Sequence, residues 1–390
     1  MNKRKICVVT GTRAEYGQLK PLMGCLKEAE ETVLQLVATG MHLSPEFGLT
    51  YQEIEADGFA IDRKVETLLS SDTATGIGKS TGLGVIGFAD AFADLRPDLV
   101  VLLGDRFEIL AAAIASLYAR IPIAHLHGGE TTEGAFDEGI RHAVTKMSHL
   151  HFVAAEEYRS RVLQLGEEPS RVHNVGGFGI DAIKQAKLLS REELERQLDF
   201  KFGQKTLLVT FHPVTLEHNS SEQQIDALLE ACGRMDESVH FVFTMPNADT
   251  DGRVIAKKVD EFVDQLGLRA MAATSLGQLR YWSALQYVDA VVGNSSSGIS
   301  EAPSFKIGTV NIGDRQKGRL MASSVICCEP LAEEIERSLQ DVLSEDFTLR
   351  KEESINPYGT GGASQAVFEI LRSCPLDEGI LKKHFHDVPR

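Results

Sequence analysis

Residues 125–142 read HLHGGETTEGAFDEGIRH, which places three histidines, four carboxylates and an arginine directly after the apolar run Ile121 to Ala124. Several carboxylates around one cleft, some neutral and some ionised because their surroundings differ, make a general acid and base pair. Asp105, Glu130 and Asp137 are the carboxylates placed for such proton transfers, and His212 of FHPVT joins them. His125 and His127 alternate onto one face of a strand. That H-x-H pair suits a metal, with His212 and Asp105 as further ligands, or a wall of hydrogen-bonded rings. If Phe136 to Met147 is a helix, about 100° per residue gives it a buried stripe of Ile140, Val144 and Met147. Asp137 and Arg141 then lie on its border, able to form a surface ion pair or to face a cleft. Glu138 and His142 point further out.

A second constellation is GNSSSGISEAP, where the strand Ala290 to Val292 ends in Gly293 and three serines open a helix containing Ser300 and Glu301. Backbone amides and hydroxyls at a helix start suit a diphosphate, and a carboxylate one turn inside suits ribose hydroxyls. Ordinary capping by Asn294 or a serine would account for one such residue. TGTRAEYG, Thr10 to Gly17, sits where a dinucleotide fingerprint would sit but lacks G-x-G-x-x-G. Its small residues still admit a phosphate, with Arg13 supplying charge. TATGIGKST mimics the end of a P-loop, yet Thr73 stands where glycine is required and no good strand precedes it, which excludes ATP hydrolysis. Ser70 to Gly84, rich in Gly, Ser and Thr, is expected to be a mobile segment able to close over a ligand.

The elements that must position these groups follow from apolar runs alternating with helical stretches. Ile6 to Thr10, Val33 to Thr39, Leu99 to Gly104, Pro122 to His127 and Leu150 to Ala154 form a first series of strands. Thr206 to His212, Val239 to Met245, Ala290 to Gly293, Thr309 to Ile312 and Val325 to Cys328 form a second. Continuous apolar strands alternating with helices imply parallel sheets covered on both faces, so the expected fold is α/β with two doubly wound, Rossmann-like halves. Between them, Ser190 and Glu193 of SREELERQLDFKFGQ give the capping-box pattern of a connecting helix. In open α/β sheets ligands bind outside the carboxyl ends of the strands. TGTRAEYG, GDRFE, HLHGGE, HPVT, MPNAD, GNSSSGISEAP and GDRQKGR all begin there.

Composition narrows the function. With 390 residues, 43% hydrophobic and 25% charged, the chain is long enough for two cores. The formal charge of -16, from 40 basic and 56 acidic residues, leaves no basic groove for nucleic acid. An anionic ligand must be held locally, by a few arginines and backbone amides. Ile6 to Val9 is far too short for a signal-peptide core or membrane span, so a soluble, cytoplasmic protein is expected. Six cysteines without C-x-x-C or zinc spacing read as thiols in a reducing compartment.

TGTRAEYG, TGMHLSPEFG, GDRFE, HGGETTEGAFDEGIRHAVTKMSHLHF, FHPVT and GNSSSGISEAPSFKIGTVNIGDRQKGR, in this order, resemble the hydrolysing UDP-N-acetylglucosamine 2-epimerases of sialic- and legionaminic-type sugar biosynthesis. The resemblance runs from about Lys5 to about Gly361. Ala14, where non-hydrolysing relatives carry proline, favours the hydrolysing branch. The resemblance implies a glycosyltransferase-B-like fold with its active site between the halves. The domains it implies are residues 1–180 and 181–362, with a helix in 363–390 completing the first.

It also implies loss of UDP from C1 as a proton leaves C2, and hydration of the resulting glycal to free N-acetylmannosamine. By position, Asp105, Glu130 and Asp137 resemble the acid/base carboxylates, with His212 beside the diphosphate and His42 near the sugar. Arg13, Arg106, Asn247, Ser295, Ser296 and Glu301 resemble the nucleotide contacts. Arg141 and Arg315 reach toward phosphate or sugar. No cofactor or metal is implied; the partners are the UDP-sugar, UDP and further copies of the chain, as a homodimer or homotetramer. UDP-2,4-diacetamido-2,4,6-trideoxyglucose is the alternative substrate. A glycosyltransferase of the same architecture and a non-catalytic nucleotide-sugar binder are the alternatives of other classes.

Overall fold

The structure, a computed structural model, describes residues 3–69, 73–132, 136–213, 221–246 and 252–388. The chain forms two compact units. Unit 1 comprises Met1–Glu130, Asp137–Lys184 and Gly361–Arg390, and unit 2 comprises Thr131–Phe136 and Gln185–Thr360.

Unit 1 is built on seven parallel strands: β1 (Arg4–Thr10), β2 (Thr32–Thr39), β3 (Arg63–Val65), β4 (Leu99–Leu103), β5 (Ile123–Leu126), β6 (Leu150–Val153) and β7 (Val172–Asn174). Their order is β3-β2-β1-β4-β5-β6-β7. Because side chains alternate along a strand, Ile6 and Val8 of β1 enter one core with Leu99 and Val101 of β4. Cys7 and Val9 enter the opposite core with Val100 and Leu102. Both faces are therefore dry, which is why these strands read as unbroken apolar runs. Helix Arg13–Glu28 covers the first face, and helix Ala363–Ser373 packs on it through Val367 and Leu371. Each fully buried leucine there contributes about 2 kcal/mol of transfer free energy.

Helices Ala74–Leu95 and Phe107–Tyr118 cover the other face. This corrects the expectation of a mobile segment over Ser70 to Gly84. From Thr73, whose hydroxyl accepts the Gly76 N–H, the stretch is the start of a 22-residue helix, and residues 70–72 lie outside the described residues. Two of the helix's glycines serve close packing: a Cβ on Gly84 would sit 2.8 Å from the Ala111 Cβ, and one on Gly87 2.6 Å from the Val65 Cγ1.

Unit 2 repeats the plan with β8 (Lys205–Thr210), β9 (Val239–Thr244), β10 (Ala270–Ala273), β11 (Ala290–Gly293), β12 (Gly308–Ile312) and β13 (Val325–Cys328), in the order β10-β9-β8-β11-β12-β13. All neighbours are parallel. Its core joins Leu207, Val209, Phe241 and Val292 to Ile225, Leu228, Ile335 and Leu339 from the covering helices. The expected capping box is present on helix Arg191–Leu198. The Ser190 hydroxyl accepts the Glu193 N–H at 3.2 Å, and the Ser190 N–H donates to Glu193 Oε2 at 3.0 Å. All six cysteines are free thiols, and among the described residues no helix is long and apolar enough to cross a membrane.

Candidate active site

In each sheet the strand order reverses once, between β1 and β4 in unit 1 and between β8 and β11 in unit 2. At such a switch point the loops leaving neighbouring strands diverge and open a crevice. Those four loops carry Gly11 to Glu15, Gly104 to Glu108, Phe211 to Pro213 and Asn294 to Ser297. Arg13, Asp105, Arg106, His212, Ser295 and Ser296 therefore lie where the topology leaves room for a ligand, while Glu130, Asp137 and Arg141 follow β5, His42 follows β2 and Arg315 follows β12.

In unit 1 the organising group is Arg141. Its guanidinium bonds the Asp105 carboxylate, the Glu138 carboxylate at 2.9 Å and the Glu130 carbonyl at 2.8 Å. The helix carrying it, Asp137–Met147, starts one residue later than predicted. Val144, with Ile140 and Met147 partly buried beside it, packs on the core as expected, and Arg141 and Thr145 are buried in addition. Arg141 is only 2% exposed, so of the two readings the surface ion pair does not hold for it, and its charge lies buried beside Asp105 and Glu138. Burial of a guanidinium is tolerable because carboxylates and a carbonyl replace its water.

Glu130 is also held by its side chain, with Oε1 2.6 Å from His127 Nδ1. Asp137 occupies the first turn of the same helix, and its charge, after those of Glu108 and Glu15, helps to keep Arg106 cationic. Arg106 donates from Nε to Glu108 Oε1 at 2.8 Å. The histidines divide the wall between them. His125 is fully buried between the Thr145 hydroxyl at 3.1 Å and the Gly104 carbonyl at 2.8 Å, and burial pushes it down to about 3. His42 lies between the hydroxyls of Thr10 at 3.0 Å and Thr50 at 2.7 Å, and burial pushes it down to about 4. Both rings are neutral and structural, so His125 and His127 serve different partners and do not act as one H-x-H ligand pair. Arg13 stands at the surface and pairs with Glu53 at 2.9 Å.

Two further buried carboxylates lie at these loops, neither of them singled out from the sequence. Glu15 accepts the Gly11 N–H at 2.7 Å, and Glu108 packs against the same glycine, with its Oε2 buried and unbonded. Both lie inside quoted motifs, TGTRAEYG and GDRFE, on the first turn after a strand. An acidic residue there, beside a glycine, is the signal that was available. Burial pushes Glu15 up to about 8, Glu108 adds to the rise, and Arg106 opposes it.

In the unfolded chain Glu15 returns to its ordinary 4.5. Its stabilising contribution is therefore complete below pH 4.5 and is lost as pH rises through about 8. Glu15→Gln keeps an acceptor for Gly11 and removes the titration. The fall in thermal midpoint from about pH 5 to about pH 8 should be shallower in this variant. An unchanged slope would refute the buried, protonated carboxyl.

In unit 2 the organising residue is Asn294, which is fully buried. Its side chain accepts the His212 N–H at 2.7 Å and donates to the His212 carbonyl at 2.8 Å. Its carbonyl accepts from Arg315 at 3.1 Å and Gln316 at 2.9 Å. Asn294 is thus a clamp across the loops after β8, β11 and β12 and not a helix cap. Burial, with the charge of Arg315 adding, pushes His212 down to about 3, which leaves a neutral ring beside a cationic guanidinium.

The Ser295 hydroxyl lies 3.2 Å from that of Ser297, which also meets the Tyr281 hydroxyl. The Ser296 carbonyl accepts from the Ser300 hydroxyl at 3.0 Å. The helix expected over Ser300 and Glu301 is corrected to a single turn, Ser297–Ser300, followed by a 3-10 turn, Ala302–Phe305. Pro303 has no N–H to continue the helical ladder, so Glu301 falls just past the turn and not inside it. Desolvation pushes its carboxyl up to about 7, against a hydrogen bond from Trp282. Asn247, like Val214 and Thr215 of FHPVT, lies outside the described residues.

Comparison with known proteins agrees with this geometry. The family model described as UDP-N-acetylglucosamine 2-epimerase matches residues 25–372. The chain is 41% identical to a GDP/UDP-N,N'-diacetylbacillosamine 2-epimerase (hydrolyzing) of Campylobacter jejuni, over 100% of both chains. It is 38% identical to polysialic acid biosynthesis protein P7 of Escherichia coli, over 99% of this chain and 98% of that one. The fold matches the crystal structure of UDP-GlcNAc 2-epimerase from Neisseria meningitidis bound to UDP-GlcNAc, with a TM-score of 0.82 and 18% identity over 94% and 99% of the two chains.

Proposed function

The chain belongs to the UDP-N-acetylglucosamine 2-epimerase family, and from that premise we propose that this hydrolysing UDP-sugar 2-epimerase acts on UDP-2,4-diacetamido-2,4,6-trideoxyglucose. The observation that carries the substrate class is the full-length 41% identity to a hydrolysing diacetylbacillosamine 2-epimerase. UDP-N-acetylglucosamine is the second reading, favoured by the polysialic acid biosynthesis relative at 38% identity.

In this reading unit 1 handles the sugar carbons and unit 2 the diphosphate. A carboxylate among Asp105, Glu130 and Asp137 takes the C2 proton while the C1–O bond to the diphosphate breaks, giving a glycal and UDP. A second carboxyl group then delivers a proton to C2 from the other face while water adds its oxygen to C1, and the proton that water sheds restores that second group. Two proton transfers at opposite faces of one carbon need two separately placed groups. The positive charge of Arg315 and a neutral, hydrogen-bonding His212 suit a departing diphosphate. Ser295, Ser296, Glu301, Arg106 and Arg13 complete the nucleotide contacts of the proposal, and His42 backs the sugar side. A cytoplasmic homodimer or homotetramer serving sialic- or legionaminic-type acid synthesis completes it.

The test is turnover of each UDP-sugar in deuterated water, followed by NMR. Deuterium at C2 of a released, 2-epimerised sugar is expected, with kcat/KM higher for the diacetamido substrate by at least about tenfold. Product without deuterium at C2, or sugar transferred to an acceptor with C2 unchanged, would overturn the epimerase mechanism. A preference for UDP-N-acetylglucosamine would move the assignment to the second reading.

A further inference from the structure

His127 stands in the left-handed region, at φ +64°. A non-glycine residue there costs about 1 kcal/mol or more and persists only where its surroundings enforce it. Two contacts enforce it. The His127 main-chain N–H donates to the Phe152 carbonyl at 2.9 Å, continuing the sheet. Immediately beyond, the chain turns back, so that the imidazole lies between the Glu130 carboxylate and the start of helix Phe178–Gln185.

The contacts of the ring fix its tautomer. The Phe178 N–H can only donate, and it points at Nε2 from 3.4 Å, so Nε2 presents its lone pair and satisfies one of the orphan donors of that helix start. Nδ1 then carries the proton and donates it toward Glu130 Oε1 at 2.6 Å. The Phe178 ring, fully buried, packs on the imidazole at 5.6 Å.

We propose that His127 is a positioning residue that holds the Glu130 carboxylate ionised, which assigns the proton-accepting step to Glu130. The proposal rests on the reading of Glu130 as a proton-transfer group. A donor aimed at a carboxylate favours its charged form, and the left-handed turn at 127 brings the donor within reach three residues before its acceptor. The other charged or titratable groups of this corner are Arg141, Asp105, Glu138, Arg161 and His125. Arg141 binds the Glu130 carbonyl together with Asp105 and Glu138, Arg161 binds the Gly129 carbonyl, and His125 sits beneath. The two arginines reach the main chain around Glu130, while His127 reaches its carboxylate.

The experiment is the pH profile of kcat for the full-length protein and the variants His127→Asn, His127→Gly and Glu130→Gln. Asparagine tolerates the left-handed region and places an N–H donor near the position of Nδ1; glycine keeps the turn and removes the donor. The acidic limb should move up by about one to two pH units in His127→Gly and return toward its original position in His127→Asn. A His127→Gly limb that stays in place, or an asparagine variant that shifts as far as the glycine variant, would overturn the positioning role. If Glu130→Gln keeps its turnover, it is the assignment of Glu130 that falls. Should the variants fail to fold, the 15N shifts of the His127 ring in the unmodified protein decide: an Nδ1–H tautomer is expected, and an Nε2–H tautomer would overturn the proposal.

Discussion

Asp105→Asn is expected to lower kcat at least about 100-fold, the usual worth of a positioned acid or base, while UDP binding survives. The residue sits on the loop leaving β4, at the reversal of strand order in unit 1, with its carboxylate on the buried Arg141 guanidinium. The amide removes the charge that could take or give a proton. It also turns either an NH2 group or a single neutral oxygen toward a guanidinium that is 2% exposed, so the group holding the Glu130 main chain loses one of its two carboxylate partners and keeps only Glu138. Glu130→Gln and Asp137→Asn should fall in the same direction. Most of the proposed UDP contacts, Ser295, Ser296, Glu301 and Arg315, belong to unit 2, so calorimetric titration with UDP separates lost chemistry from lost folding. Near-parental turnover in all three variants would remove the acid and base assignment.

Gly293→Ala should be the most destabilising single-methyl change in unit 2. Gly293 has φ +127°, and a Cβ there would lie 1.9 Å from the Thr210 carbonyl oxygen. That oxygen belongs to the paired strand β8 and accepts the Asn294 N–H at 3.2 Å, so it has nowhere to retreat. Strained backbone and overpacking together are worth about 3 kcal/mol or more, which for a unit of this size lowers the unfolding midpoint by roughly 6–12 °C. The displacement passes to Asn294, and through it to His212 and Arg315, so UDP affinity should fall as well. Differential scanning calorimetry with and without UDP measures both effects. An unshifted midpoint would show that the β8–β11 junction has slack that the geometry denies it.

What the sequence made legible follows from which interactions are local. The central strands could be read because both of their faces are dry, and the loops at their carboxyl ends because parallel topology puts ligands there. The edge strands β3, β7 and β10 could not, since RKV, VHN and AMAA are only three or four residues long, and the first two are mostly polar. Helix Ala74–Leu95 was misjudged because glycine content signals flexibility in isolation but close approach once Ala111 and Val65 are opposite. The burial of Arg141 beside the apolar stripe of helix Asp137–Met147 is a matter of tertiary charge: Asp105, 36 positions earlier, makes an arginine acceptable there. Asn294 was weighed as a cap because its true partners, His212, Arg315 and Gln316, belong to two other loops.

The split composition of unit 1 also bears on biosynthesis. Its core draws on Leu19, Leu22 and Leu26 near one end of the chain and on Val367, Phe368 and Leu371 near the other, whereas nearly all of unit 2 comes from one uninterrupted stretch. During translation the apolar side of helix Arg13–Glu28 therefore waits, wetted, for residues made long afterwards, while the sheet of β8 to β13 already has its neighbours. The later-made half is the one that can close first on the ribosome, and the earlier half completes its core only once Val367 and Leu371 emerge.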